Sequence, residues 1–121
     1  TIVSYGLMVH RAVEAANQLA KEGIECEVID LRTLSPIDME TVIESVENTG
    51  KLVVVDEANP RCSIASDISA TVAQQAFKDL KAPIEMVTPP HTPVPFSRDL
   101  ESFYLPSAEK IVKSVQKTLI N

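Results

Sequence analysis

Leu52-Val53-Val54-Val55 is an unbroken apolar run, rich in β-branched residues and closed by Asp56-Glu57. A strand with one wet face alternates apolar and polar residues. A strand with none must be covered on both sides, so this one belongs in the middle of a sheet flanked by helices. The rest of the chain supplies the flanks. Ile2-Val3-Ser4-Tyr5 reads as a short strand closed by Gly6, and a helix follows with Val9, Ala12, Val13, Ala16, Leu19 and Ala20 on one face, ending at Gly23. Ile24-Glu25-Cys26-Glu27-Val28 alternates as a half-exposed strand should. Leu31-Arg32-Thr33-Leu34 then leads to Ser35-Pro36, which reads as an N-cap with proline at the first position of a helix carrying Met39, Val42, Ile43 and Val46 to Gly50.

Beyond the central run, a third helix carries Ala65, Ile68, Val72, Ala73, Ala76, Phe77 and Leu80, and Ile84 to Val87 makes a fourth strand. A last helix begins after Pro106-Ser107 and turns Ala108, Ile111, Val112, Val115 and Leu119 inward. Strands alternating with helices over short connections imply parallel β-α-β units with right-handed crossovers. With the continuous strand central and the alternating ones peripheral, the spatial order is 2-1-3-4. The expected fold class is α/β: a single three-layer α/β/α domain over residues 1–121 with a mainly parallel sheet of four strands.

One stretch departs from the alternation. Pro89-Pro90-His91-Thr92-Pro93-Val94-Pro95-Phe96 and the following Ser97 to Pro106 read as a long, stiffened crossing, and such loops usually meet a partner or a site. The charge balance, 17 acidic against 11 basic residues, lacks the Lys/Arg stripe of a nucleic-acid or anionic-membrane surface. No apolar run approaches the ~20 residues of a membrane span, so a cytoplasmic domain is expected.

The chemistry-bearing residues are few. Ligands of open α/β sheets sit beyond the strand ends where the order reverses, here between Tyr5-Gly6 and Asp56-Glu57. No glycine-rich phosphate loop follows either strand, and Asp56-Glu57, without a third ligand, reads as solvated carboxylates at a strand end. Cys26 reads as a small buried hydrophobe, and Cys62, ahead of a helix placed from about Ser63, as an inert thiol. His10 reads as an interface or surface residue and His91 as a packing or capping residue, because no motif places a nucleophile beside either. Catalytic, cofactor-binding and metal-binding residues are therefore none. A free-standing flavodoxin-like module, binding a nucleotide or flavin in the crevice, is the alternative reading.

The succession Ser4-Tyr5-Gly6-Leu7-Met8-Val9-His10, Val28-Ile29-Asp30-Leu31-Arg32-Thr33-Leu34-Ser35-Pro36, Leu52 to Glu57, Pro93-Val94-Pro95-Phe96 and Tyr104-Leu105-Pro106 covers essentially the whole chain. It resembles the C-terminal domain of the β subunit of thiamine-diphosphate-dependent 2-oxo acid dehydrogenases, whose pyruvate, branched-chain and acetoin members share a transketolase-type C-terminal domain. Arg61-Cys62-Ser63-Ile64-Ala65 looks more like the acetoin branch. The resemblance implies a fragment of a longer β subunit, with one further strand, antiparallel at the sheet edge, ahead of Thr1. It implies thiamine diphosphate and Mg2+ in the parent enzyme, held by the α subunit and the N-terminal part of β, with none bound by this fragment. The implied role is assembly and docking: contact with the α subunit, with a second β subunit and with the subunit-binding domain of a lipoyl acyltransferase. Phe96, Phe103 and Tyr104 are the interface anchors under this reading, with Ile120 and Asn121 at the end of the last helix.

Overall fold

The computed structural model describes residues 1–120. Its sheet has four parallel strands in the order β2-β1-β3-β4: β1 (Ile2–Ser4), β2 (Val28–Asp30), β3 (Val53–Val55) and β4 (Glu85–Val87). Ile2 pairs with Val28 on one side and Val53 on the other, and Val53 in turn with Glu85. The helices are α1 (Met8–Lys21), α2 (Met39–Thr49), α3 (Ile64–Gln75), α4 (Arg98–Tyr104) and α5 (Ala108–Ile120). The strand order and the three layers agree with the sequence reading.

The central run does what its composition demands. Val53 and Val55 face one core with Ile2, Leu19, Ile111 and Val115, under α1 and α5. Leu52 and Val54 face the other with Val3, Val46, Ile68 and Val72, under α2 and α3. Because successive residues of a strand point to opposite faces, one strand knits both cores. Full burial of each such side chain is worth about 1.5–3 kcal/mol relative to exposure.

Six local expectations need correction. The ladder of β2 begins at Val28, not at Ile24, because the Ile24 N–H still donates to the Leu19 carbonyl (3.0 Å) in closing α1. Ser35-Pro36 does not start α2; its peptide bond is cis, inside a turn bridged by Leu34 and Ile37. The cap is Asp38, whose carboxylate accepts the Thr41 N–H (3.1 Å) and O–H (2.7 Å). These bonds hold the Asp38 carboxyl below its ordinary pKa.

The inward stripe of α1 is Met8, Ala12, Ala15 and Leu19, which leaves Val13 and Ala20 exposed, and α5 buries Thr118 where Leu119 was expected. Thr118 is tolerated there because its hydroxyl donates to the Val115 carbonyl (2.7 Å). α3 stops at Gln75, so Phe77 stands exposed beyond it. Finally, the crossing from Ser97 to Pro106 is not all loop, since it contains α4. Ser97 caps this helix by accepting the Leu100 N–H (3.2 Å), with Asp99 and Glu101 in the first turn, where acids suit the helix dipole.

Gly50 ends α2 in the left-handed conformation (φ 72°), its N–H donating to the Val46 carbonyl at 2.7 Å. A Cβ there would lie 2.7 Å from Cδ of Lys81, whose stem covers the turn. Gly50→Ala is therefore expected to cost about 1 kcal/mol or somewhat more, seen as a melting temperature lowered by several degrees in circular dichroism. An unchanged melting temperature would show that neither the backbone conformation nor the Lys81 contact constrains this position.

Candidate functional site

Two regions could carry function: the crevice at the carboxyl ends of β1 and β3, and the surface built by the proline loop and α4. In the crevice, Asp56 follows β3 directly and is 1% exposed, so it is not the solvated carboxylate its position suggested. Its Oδ1 accepts the Tyr5 phenol (2.7 Å) and the Ala58 N–H (2.9 Å), and its Oδ2 accepts the Ala65 N–H (3.2 Å) in the first turn of α3. One carboxylate thus ties β1, the turn after β3 and α3 together. Beside it Ser4, also buried, donates its hydroxyl to the Val55 carbonyl at 2.9 Å. Glu57 remains exposed. The switch point between the strands is filled by the chain's own hydrogen bonds.

Burial pushes the Tyr5 phenol well above its ordinary pKa, helped by the hydrogen bond to Asp56 and by the charges of Asp56 and Glu57. A folded-state pKa above the unfolded value of about 10 means stability that is complete below pH ~10 and is lost as pH rises beyond it. Ultraviolet titration should show one phenolate appearing only with alkaline unfolding, and Tyr5→Phe should abolish that late step. Titration of the Tyr5 phenol near its ordinary pKa in the still-folded protein would refute the coupling.

On the second region, Val94, Phe96, Leu100 and Phe103 are exposed, Phe103 at 81%. Tyr104 differs from them: it is only 7% exposed, and its O–H donates to the Thr92 carbonyl at 3.4 Å. It props the loop from beneath rather than presenting itself. Ile120 is exposed at the end of α5, and Asn121 lies outside the described residues. Like Val94, Leu100 is a member of this surface that sequence reasoning missed. The cap signal Ser97 and the i, i+3 spacing of Leu100 and Phe103 could have found it.

The family model described as the C-terminal domain of transketolase matches residues 1–111. The chain belongs to the transketolase C-terminal domain family. It is 72% identical over 119 residues to the β subunit of acetoin:2,6-dichlorophenolindophenol oxidoreductase of Cupriavidus necator, covering 98% of this chain and 35% of that protein. The same-named subunit of Bacillus subtilis is 54% identical, with 93% of this chain and 33% of that protein covered. The β subunit of the pyruvate dehydrogenase E1 component of Bacillus subtilis is 43% identical, with 98% and 36% covered. A solved structure described as an inactive β4 tetramer of split-gene transketolase superposes with a TM-score of 0.84 at 31% identity, covering 98% of this chain and 37% of that one. The chain thus spans about a third of the length of the curated relatives it matches.

For this transketolase C-terminal domain, the fit of thiamine diphosphate with Mg2+ can be tested on the residues themselves. The cation needs free oxygen ligands and the diphosphate needs free N–H donors. Both Asp56 oxygens are engaged, and the Ala58 and Ala65 N–H groups nearest them are spent on that carboxylate. Among the described residues there is no group of three or more His, Cys, Asp and Glu side chains that could hold a metal ion. The residues present do not fit the group, and no chemical step runs through it here.

The remaining candidates stay apart. His10 is exposed in the first turn of α1, and His91 is exposed on the proline loop beside Asn59, Thr92 and Pro93. Cys62 is exposed, with a left-handed backbone (φ 50°), just before the Ser63 cap of α3. Cys26 is half-buried against the α1 and α5 core, where burial pushes its thiol pKa up and keeps it a weak nucleophile.

Proposed function

We propose that this chain is the assembly and docking domain of the β subunit of a thiamine-diphosphate-dependent acetoin or 2-oxo acid dehydrogenase, acetoin being the favoured substrate. The observation that carries the reading is the graded similarity: the acetoin-type relatives stand at 72% and 54% identity and the pyruvate-type relative at 43%. In this reading the parent enzyme cleaves its substrate and passes the acyl group to lipoamide. Thiamine diphosphate and Mg2+ are bound by other parts of the complex, which works in the cytoplasm. The domain contributes contacts to the α subunit, to a second β subunit and to the acyltransferase's subunit-binding domain. Phe96, Leu100 and Phe103 supply the exposed apolar anchors, and Ile120 with Asn121 a second contact at the end of α5. A proline-stiffened loop suits such a role because it loses little conformational entropy on binding.

The test is calorimetric titration of the domain against thiamine diphosphate with Mg2+, and in parallel against the acyltransferase's subunit-binding domain. Heat is expected only with the protein partner. Phe103→Ala should weaken that binding about tenfold or more while changing stability by less than about 0.5 kcal/mol, since an exposed ring contributes little to the fold. Binding of the cofactor, or of a flavin or nucleotide, to the isolated domain would favour the crevice-binding module instead.

A further inference from the structure

Helix α4 carries two of the exposed anchors but has only seven residues, about half of what a helix needs to persist alone in water. Its N-terminus is capped by Ser97, and Tyr104 roots its last turn. Its final carbonyls still need donors, as at every helix C-terminus. Two of the carbonyls at this end find their donor in one side chain, while that of Glu101 accepts the Leu105 N–H. Lys110 Nζ donates to the carbonyl of Phe103 at 2.9 Å and to that of Leu105 at 3.1 Å.

The origin of this lysine makes the contact informative. Lys110 lies in the first turn of α5, where its own N–H donates to Ser107 Oγ (3.3 Å). A cation at a helix N-terminus opposes the dipole of its own helix, so local electrostatics disfavours lysine there. Helical side chains lean toward the N-terminus, which carries this ammonium back over the negative end of α4. The charge that is misplaced for α5 is correctly placed for α4, and a rule broken locally points to a need met elsewhere.

We propose that Lys110 is the positioning residue of the α4 surface: its charge clamps the last turn of α4 to α5 and so fixes how Phe96, Leu100 and Phe103 are presented. The inference rests on the docking reading above, but the clamp itself exists in the free protein and can be measured there. Without the ammonium, α4 keeps its Ser97 cap and its Tyr104 root while its C-terminal turn opens more often. Phe103, whose own carbonyl is released, loses its fixed direction.

Amide hydrogen exchange of the free protein tests this. The Leu105 N–H, which donates to the Glu101 carbonyl at 3.0 Å, reports the last turn of α4, and the Val115 N–H reports the middle of α5. Lys110→Met keeps the apolar stem and removes the charge. It is expected to speed Leu105 exchange about fivefold, the equivalent of ~1 kcal/mol, with Val115 unchanged. Lys110→Arg, which keeps a charged donor, should restore most of the protection. The clamp is refuted if Lys110→Met leaves Leu105 unchanged, if it speeds Leu105 and Val115 alike, or if arginine performs no better than methionine. The role in presentation further requires that Lys110→Met weaken binding of the acyltransferase's subunit-binding domain, and undiminished binding would overturn it. Should Phe103→Ala leave that binding intact, the docking reading fails while the exchange comparison still judges the clamp.

Discussion

Asp56→Ala should destabilise the domain by about 3 kcal/mol or more, a large part of the roughly 5–15 kcal/mol that holds a domain of this size together. The change strands the donors now satisfied by the carboxylate: the Tyr5 phenol, the Ala58 N–H and the Ala65 N–H. The first two lie near enough to solvent to recover a water in part, because Tyr5 is half-buried and Ala58 is exposed. Ala65 is fully buried at the start of α3 and has no such recourse, so most of the cost falls there. Asp56→Asn should fall in between, since one oxygen survives while the amide nitrogen confronts N–H groups that it cannot accept from. Urea unfolding measures both: the midpoint should drop in the order wild type, Asn, Ala, with the slope unchanged. The experiment also separates two views of the crevice. A carboxylate kept for a ligand is commonly neutral or stabilising to remove, whereas a structural tie is costly. A stable Asp56→Ala variant would therefore reopen the crevice as a binding site.

Ile111→Ala should cost about 3 kcal/mol, within the 2–5 kcal/mol range for emptying such a volume in a close-packed core. Ile111 is fully buried and packs in the cluster that includes Ile2, Leu19, Val53 and Val87, where α5 seals α1 against the sheet. Leu119→Ala on the same helix is the control. Leu119 is half-exposed, and its loss should change stability by less than about 0.5 kcal/mol. The pair decides between two faces of one helix, because the apolar pattern nominates Leu119 whereas the structure buries Thr118. Equal losses from the two substitutions would mean that the face of α5 is assigned wrongly.

That contrast shows where a sequence stops speaking. An amphipathic helix rich in alanine and valine fits its apolar stripe almost equally well at neighbouring rotations, and only the partner surface selects among them. On α1 the selection favoured Ala15 over Val13, a small residue where a neighbouring element packs close. The same applies to α4, whose few residues carry too little periodicity to register against a background of prolines. It applies also to Asp56, whose neighbours in space, Tyr5 and Ala65, lie 51 and 9 residues away along the chain.

The sequence alone determined the α/β class, the parallel order 2-1-3-4 and the central place of β3. These follow from which strands alternate and which do not, a pattern set by burial and written into consecutive residues. The family was legible for a related reason: its motifs occupy the strand ends and turns, where backbone geometry restricts the choice of residue. The tertiary structure alone engaged Asp56 with Tyr5, Ala58 and Ala65, buried Tyr104 beneath the proline loop, and carried the Lys110 ammonium onto the helix before its own. Each of these depends on a hydrogen bond between elements that meet only once the sheet and its helices have packed, and no local pattern encodes that meeting.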